Sequence, residues 1–358
     1  MKQSLKSLTK RIVSPVLDAS GVLDRRLARL LGQPGRLLVM MYHRVVTDPT
    51  LDPFGLGMCV ERRHFEAQLK WLKHNFQVLP LDEAVQRVRQ GETLPAYSAA
   101  ITFDDGYLDN LTDAAPLLQR YQLPATFFVT TGGLTEGAAF WWDRVIAALA
   151  DSTMESVLLP TLGFSAPLSL SPMRRLTSVE QILAGLWALP PTALPGAIEE
   201  VITALVPGAA YDTAEQVRAP RMTPAQVAEL HAMGFDIGAH TIRHVDMRSL
   251  STKEASRELL ESRQHLEAIL NQPVSAFAYP SGYHSEALQA VVRYAGFNYA
   301  VSADRGINAA DLRTQAIYRV GMPNATVADL KRALCTVPIG RGEPDGAQIG
   351  TGVPKLVV

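Results

Sequence analysis

Short apolar runs alternate along this chain with longer amphipathic stretches, and this alternation constrains the fold more than any other feature. Runs of this length predict buried β-strands, and the stretches between them carry the apolar spacing of helices. Such alternation is typical of an α/β fold with a mainly parallel sheet or barrel. The predicted strands span residues 37–42, 99–103, 125–130, 236–239, 276–279 and 299–302.

Two of the helices between these strands begin with recognisable capping residues. Ser251 stands three positions before Glu254, which is the spacing of a capping box. Thr223 precedes Pro224, which fits a polar cap followed by proline in the first turn. The predicted helices span residues 61–75, 81–90, 112–121, 224–233, 251–270 and 285–295.

The same pattern divides the chain into segments. Residues 34–132 and 221–335 alternate and are predicted to form the barrel. Residues 133–220 do not alternate, and because they are too many for a structureless loop, we expect an inserted helical cap over one end of the barrel. Residues 1–33 have helical periodicity and are predicted to form an amphipathic lead, whereas residues 336–358 are rich in Gly and Pro and are predicted to be disordered.

The composition describes a globular protein, because 47% of the residues are hydrophobic and 19% are charged. A net charge of −1 gives no electrostatic reason to expect a nucleic-acid partner. The chain contains two cysteines, Cys59 and Cys335, far apart in the sequence. This count excludes a disulfide framework and a cysteine-based zinc site.

The lead bears on where the protein resides. It lacks the uninterrupted apolar core of roughly 7–15 residues that a secretory signal needs, so the sequence predicts a cytoplasmic protein. Basic residues stand between its apolar ones, as in helices that lie on anionic membranes. Peripheral contact of residues 1–33 with the inner face of the membrane is one interpretation, and a helix packed on the main domain or a partly frayed terminus is the alternative. The apolar positions are Leu5, Leu8, Ile12, Leu23, Leu27, Leu30 and Leu31.

An acidic pair, Asp104 and Asp105, follows the predicted strand 99–103. Adjacent side chains on a straight strand point to opposite faces, so both carboxylates reach one site only where the strand turns. The next residue, Gly106, permits that turn. One carboxylate is then able to bind a metal ion while the other accepts a proton from water. A simple β-turn is the alternative.

Two histidines, His240 and His244, follow the predicted strand 236–239. If the chain turns helically after that strand, both rings project to one side. Two imidazoles and a carboxylate are usual ligands of zinc and similar ions, and they leave coordination positions open for water and substrate. The sequence therefore predicts a divalent-metal hydrolase site, with a surface and a capping histidine as the alternative. His43 follows the first strand and is a further candidate to face this site.

These segments, with residues 277–282, resemble the motifs of the NodB-like polysaccharide deacetylases, carbohydrate esterase family 4. Residues 101–106 resemble the first motif, and residues 240–244 resemble the metal-binding histidine motif. Residues 277–282 resemble the third motif, in a variant with Tyr-Pro where many members have Arg-Pro-Pro. The resemblance covers residues 37–323, with the cap as an insertion.

The resemblance implies a deformed (β/α) barrel whose site lies at the C-terminal ends of the strands. It implies that Asp104 is the general base and that a backbone N–H near Ser281 holds the oxyanion. The residues that would ligate one divalent metal ion, zinc by default, are Asp105, His240 and His244.

The chain departs from the family pattern at two positions. Ala278 stands where the third motif usually carries the arginine that orients the base. The Leu-x-His that the family often has near the C-terminus reads Ile-Tyr-Arg-Val at residues 317–320. One hypothesis is that Arg319 replaces the missing arginine in space, with a structural salt bridge as the alternative. A second is that His43 protonates the leaving amine.

Aromatic residues near the motifs predict a wall on which a sugar ring would stack, and core packing is the alternative for each of them. Two of these residues open the predicted cap, next to side chains of both charges, which favours contact with substrate there. The candidates are Tyr42, Tyr107, Trp141, Trp142 and Tyr283.

Together these features predict a metal-dependent hydrolase that removes an N-acyl group, above all acetyl, from an amino-sugar. The predicted location favours a lipid- or nucleotide-linked precursor of a surface polysaccharide. A non-carbohydrate linear amide is an alternative substrate, because the metal site dictates attack on an amide and not the identity of the acyl donor. A saccharide-binding protein that has kept the barrel but lost turnover is a third hypothesis, which the missing arginine and histidine favour.

Overall fold

The computed structural model of the protein describes residues 13–135, 137–209, 211–213 and 216–340. Within this part of the chain, seven parallel strands close into a barrel with helices around it, as predicted. The strands are β1 (Leu37–Tyr42), β2 (Arg44–Val46), β3 (Cys59–Glu61), β4 (Gln77–Val78), β5 (Ser98–Phe103), β6 (Thr126–Val129), β7 (Ser156–Val157), β8 (Leu168–Ser169), β9 (Asp236–Ala239), β10 (Ala276–Ala278), β11 (Tyr299–Arg305) and β12 (Ile317–Gly321).

The barrel runs in the order β1, β12, β11, β10, β9, β6, β5 and back to β1. Its closing pair is β1 with β5, from Leu37 opposite Ser98 to Tyr42 opposite Phe103. The short strand β4 pairs with the start of β5. The sequence prediction missed β12, which lies between β1 and β11. Because all seven strands are parallel, their carboxyl ends meet at one end of the barrel.

Helices surround the barrel and also fill the long segment between β6 and β9. The predicted caps of two helices are confirmed. Ser251 forms a capping box with Glu254, and Thr223 forms one with Gln226. The helices are α1 (Val22–Leu31), α2 (Arg62–Asn75), α3 (Leu81–Arg89), α4 (Ala115–Tyr121), α5 (Trp141–Asp151), α6 (Arg175–Trp187), α7 (Leu194–Leu205), α8 (Pro224–Ala232), α9 (Thr252–Leu270), α10 (Glu286–Tyr294) and α11 (Val327–Leu334).

Side chains alternate along the barrel strands between two cores. In β1, Leu37 and Val39 belong to one apolar cluster, together with residues such as Val301 of β11. Leu38 and Tyr42 belong to the larger cluster, which includes residues of the surrounding helices. The first set points into the barrel and the second points outward, as the period of a strand requires. This alternation decides which residues after each strand can face the site.

The segment between β6 and β9 has an apolar core of its own. It contains α5, α6, α7 and the antiparallel pair of β7 and β8. At its far end, the guanidinium of Arg221 donates hydrogen bonds to the carbonyls of Thr130 (2.6 Å) and Gly132 (2.7 Å), where the segment begins. The chain therefore leaves the barrel and returns to it at one place.

The lead packs on the barrel in the part that the structure describes, where residues 13–19 and α1 are helical. Leu23, Leu27 and Leu31 are buried in the larger core, and Lys331 of α11 bonds Asp18 and Asp24 at 2.8 Å each. These leucines therefore do not face a membrane, and the packing interpretation is right for them. Residues 1–12 and 341–358 lie outside the described residues, and no described helix has the length and hydropathy to span a bilayer.

Candidate metal centre and groove

Three strands deliver the motif residues to one end of the barrel. Asp104 and Asp105 follow β5, residues 240–244 follow β9, and residues 279–283 follow β10. The carboxyl ends of parallel barrel strands share one face, which is where active sites of such barrels are built. The three remote segments of the sequence are thus brought together.

The three predicted metal ligands, Asp105, His240 and His244, form a buried cluster. Their candidate ligand atoms lie within 4.8 Å of one another. The Oδ1 atom of Asp105 is 3.5 Å from Nε2 of His240 and 3.4 Å from Nε2 of His244. Bonds of about 2.0–2.1 Å at a tetrahedral cation would separate two ligand atoms by about 3.3 Å, so these spacings suit zinc. Neither carboxylate oxygen of Asp105 has a hydrogen-bond donor among the described residues, which also fits a cation.

The two imidazoles are fixed in different ways. His240 Nδ1 lies 2.8 Å from the carbonyl oxygen of Ala278, so this nitrogen carries the proton and Nε2 keeps its lone pair. The ring of His244 packs against Trp142, with 4.7 Å between ring centroids. Burial lowers the pKa of His244 to about 4, which keeps the ring neutral and able to bind a cation.

The chain does not turn helically after Ala239, so the condition under which both histidine rings would project to one side of a helix is not met. Residues 240–246 form a loop, and Thr241 and His244 have φ angles of +63° and +53°. The hydroxyl of Thr241 accepts the backbone N–H of His244 at 3.0 Å, which holds the loop closed. Asp105 also has a positive φ of +76°. Such backbone conformations are unfavourable for residues other than glycine. They occur together here because the loops must direct three candidate ligand side chains to one point.

The proposed base, Asp104, is paired with Arg319. The guanidinium nitrogens Nη1 and Nη2 each donate to one oxygen of the carboxylate at 2.7 Å. The Nε of Arg319 also donates to the carbonyl of Ser302 at 2.7 Å. Burial would raise the pKa of Asp104, but the adjacent guanidinium outweighs it and holds the pKa below its usual value. Arg319 thus contacts the carboxylate that the third-motif arginine would orient, although its role remains a prediction.

The structure separates the predicted aromatic wall into core and groove residues. The hydroxyl of Tyr42 donates to Gln68 at 2.9 Å, and its ring stacks on Phe103. Tyr107 is fully buried and donates to Asp143 at 2.9 Å. The prediction of substrate contact is wrong for both tyrosines. In β1 the reason is the strand period, since Tyr42 faces outward, whereas Met41 and His43 line the groove.

Of the remaining candidates, Trp142, Ser281 and Tyr283 line the groove, whereas Trp141 packs on Trp187 in the core of the inserted segment. Trp142 is almost fully buried, and its indole N–H donates to the hydroxyl of Tyr107 at 2.9 Å. Tyr283 lines the groove beneath Arg248, whose guanidinium carbon is 3.6 Å from the ring centroid. Ser281 lines it with a φ of +54°. The cavity has a volume of about 1060 Å³, which accommodates a saccharide.

Trp187 and Asp304 are groove residues that the sequence did not indicate. Trp187, at the end of α6, lies 5.7 Å from Trp142 and 5.9 Å from His244 between ring centroids. No sequence signal could have found it, because it belongs to the segment outside the alternation. Asp304 lines the groove and accepts a hydrogen bond from His284 at 2.7 Å. Its position after the predicted strand 299–302 was a signal, since the other site residues follow strands in the same way.

Comparisons with known proteins agree with this fold. The polysaccharide deacetylase family model matches residues 91–155 and 202–300. Over 289 residues the chain is 22% identical to YxkH of Bacillus subtilis, which is named as a polysaccharide deacetylase, and the alignment covers 80% of this chain and 72% of YxkH. The poly-β-1,6-N-acetyl-D-glucosamine N-deacetylase of Staphylococcus aureus is 38% identical over 109 residues. That match covers 28% of this chain and 37% of the relative, little more than a third of its length.

Solved structures share the fold. The Streptococcus pyogenes deacetylase PplD, solved in complex with acetate, has a TM-score of 0.54 and 20% identity, covering 84% of this chain and 99% of that chain. A polysaccharide deacetylase from Bacillus cereus has a TM-score of 0.51 and 17% identity, covering 84% of this chain and 69% of that chain. These structures show the fold, and the family model with the named relatives leads to one conclusion: over residues 91–155 and 202–300 the chain belongs to the polysaccharide deacetylase family.

Proposed function

We propose that this protein is a metal-dependent hydrolase that removes an N-acyl group, above all acetyl, from an amino-sugar. The amino-sugar belongs to a surface polysaccharide or to its lipid- or nucleotide-linked precursor. The observation that carries the proposal is a buried carboxylate, Asp104, held by Arg319 beside a cluster of three metal-ligand side chains. Hydrolysis of an amide needs a base for water and an electrophile for the carbonyl, and this arrangement provides places for both.

The substrate class is supported by what two similar proteins are named for. The staphylococcal relative is named as an N-deacetylase of poly-β-1,6-N-acetyl-D-glucosamine. PplD was solved with acetate, which is the acid that removal of an acetyl group releases. The volume of the groove and the tryptophans on its wall suit a sugar ring better than a small linear amide.

The cluster of Asp105, His240 and His244 would hold one divalent cation, with zinc as the default for two nitrogen donors and one oxygen donor. When bound, the cation lowers the pKa of water and polarises the acyl carbonyl. The carbonyl of Ala278 keeps His240 in the tautomer that this role needs.

Asp104 would take a proton from water as the water oxygen bonds to the acyl carbon. The pairing with Arg319 keeps this carboxylate ionised and fixes its direction. A backbone N–H near Ser281 would donate to the oxyanion of the carbonyl. As the C–N bond breaks, the amine nitrogen needs a proton, which His43 would supply from the groove wall.

The direct test is the substitution Asp104→Asn in purified, metal-loaded protein. Acetate release from N-acetylglucosamine oligomers is expected to fall by about 10²- to 10⁴-fold, because the base is lost. Metal content, measured by mass spectrometry, is expected to stay that of the wild type. Asp113→Asn is the matched control, since this carboxylate pairs with Arg62 away from the groove, and it should keep full activity. Activity that survives Asp104→Asn would remove the assigned mechanism.

A second candidate function is saccharide binding without turnover. It is favoured by the lack of a histidine in residues 317–320, where the family often carries its C-terminal histidine and this chain has Arg319. Calorimetric binding of the oligomers by wild-type protein, without acetate release under any of zinc, cobalt, manganese or nickel, would support this candidate. Cyclic ureides and acylated peptides in the same assay test whether the acyl donor is a sugar.

A further inference from the structure

The lead has exposed apolar side chains in addition to the leucines that are buried against the barrel. Val13, Val16 and Val22 are 43%, 62% and 41% exposed. They are three of the eight large apolar side chains that are exposed in the described part of the chain, and they fall within ten consecutive positions. Exposed valines grouped in this way indicate a surface that something covers.

The N-terminal segment that contains the lead is also the part of the chain with a large positive net charge. Residues 1–36 contain eight basic and two acidic side chains, a net charge of +6 in a chain whose total is −1. Both acidic residues, Asp18 and Asp24, are occupied by Lys331. Arg25, Arg26 and Arg29 are exposed and form no ion pair within the described residues. These three guanidinium groups therefore face solvent within seven positions of Val22.

This surface adjoins the groove. The hydroxyl of Ser14 donates to Asp329 at 2.7 Å and accepts from Nε of Arg332 at 2.8 Å. Both partners belong to α11 and line the groove. Val13 and Val16 lie one and two residues from Ser14, so the valines are next to the groove wall.

We propose that this valine–arginine surface, formed by Val13, Val16, Val22, Arg25, Arg26 and Arg29, docks on an anionic lipid bilayer. The valines would leave water at the bilayer interface, and the arginines would lie among the lipid phosphates. Charge complementarity selects this partner, because residues 1–36 carry a net charge of +6 while the rest of the chain is net negative. A substrate anchored in the same bilayer would enter the groove past α11, a consequence that rests on the proposed deacetylation.

The test is sedimentation of the full chain with vesicles of phosphatidylglycerol and with vesicles of phosphatidylcholine. Binding is expected to phosphatidylglycerol alone and to weaken as salt is raised. Val16→Glu and the double variant Arg26→Glu/Arg29→Glu should each reduce the partition coefficient by about tenfold or more. Met173→Glu is the matched control, because this residue is 93% exposed on a different part of the molecule, and it should bind as the wild type does.

Two results would overturn the docking surface. One is equal sedimentation with both lipids, and the other is phosphatidylglycerol binding that neither lead variant reduces. Acetate release from oligomers in solution is measured on the same samples. If the lead variants lose vesicle binding but still release acetate, the substitutions affect docking and not the active site. If wild-type protein binds vesicles but releases no acetate, the deacetylase proposal is contradicted and the docking surface is not.

Discussion

At the scale of single residues, Arg319 and Asp104 meet because both point into the barrel. Along β12 the side chain of Arg319 shares its direction with Ile317, which belongs to the inner core. Asp104 continues the inward direction of Thr102, whose hydroxyl Arg319 also contacts at 3.2 Å. The two residues are 215 positions apart, yet the barrel closes them into a two-pronged ion pair. A guanidinium can therefore reach the base from a strand other than the one that carries the third motif.

Removing Arg319 should affect both stability and activity. Arg319→Met leaves Asp104 as an unpaired buried charge, which costs about 3–5 kcal/mol in the free energy of unfolding. Acetate release should fall as well, because the base loses its orientation. Urea unfolding and initial rates measure the two effects. Arg257→Met is the control, since the pair of Arg257 with Glu261 is exposed to solvent and its loss should leave both measurements close to those of the wild type.

A double variant separates the pair from general damage to the core. Asp104→Asn/Arg319→Met should be more stable than Arg319→Met alone, because the asparagine is neutral and leaves no buried charge. If the double variant is instead less stable by the sum of the two single effects, the ion pair has no energetic role of its own.

At the scale of elements, α5 is tied to the metal cluster through one hydroxyl. Tyr107, just after β5, donates to Asp143 of α5 and accepts from Trp142 of the same helix. Trp142 in turn packs on His244. The inserted segment thus contributes a wall to the site and also supports a predicted ligand. Burial raises the pKa of Asp143 to about 7, far above that of an aspartate in water.

The raised pKa of Asp143 predicts how stability depends on pH. The ordinary value of about 3.9 applies to the unfolded chain, so between about pH 4 and pH 7 the native state binds more protons than the unfolded state. This contribution therefore makes the protein less stable as pH rises through that window. Asp143→Asn should be more stable than the wild type at pH 8 and should lose this part of the pH dependence. Urea midpoints at pH 5 and pH 8 measure it, and equal slopes in both proteins would contradict the assignment.

At the scale of the whole molecule, the metal cluster is a local source of instability that a cation would offset. Three backbone conformations with positive φ converge there, together with a buried carboxylate that has no hydrogen-bond donor in the described part of the chain. A ligand that binds only the native state stabilises it by mass action, by about 2.7 kcal/mol at a hundred times its Kd.

Zinc should therefore raise the Tm of the full chain, and a chelator should lower it. His244→Asn should abolish the response to zinc, because one of three ligands is lost. His64→Asn is the control, since this residue bonds Asn324 outside the cluster and should leave the response intact. Differential scanning fluorimetry with added zinc or EDTA provides the measurement. A Tm that is indifferent to zinc would remove the metal from the proposal.

The sequence predicts the barrel because six of its seven strands are apolar runs that stand apart from their surroundings. β12 escapes this criterion, since polar Arg319 interrupts its apolar residues. The sequence indicated the three candidate ligand residues because each follows a strand, and the parallel barrel brings the ends of its strands together. The direction of a side chain at a strand end was harder to predict, so Tyr42 was assigned to the groove although it points to α2. Trp187 depends on how an inserted segment folds back, which no local pattern encodes.

The hydrogen bonds of Arg221 to Thr130 and Gly132 have an evolutionary consequence. They hold the two ends of the inserted segment close together. The length of the segment therefore does not affect the geometry of the barrel strands on either side of it. Descendants of this chain could exchange, shorten or enlarge that module without disturbing strand order. Since the same module supplies the tryptophans of the groove, such exchanges would alter the groove wall while the residues at the ends of the barrel strands stayed constant.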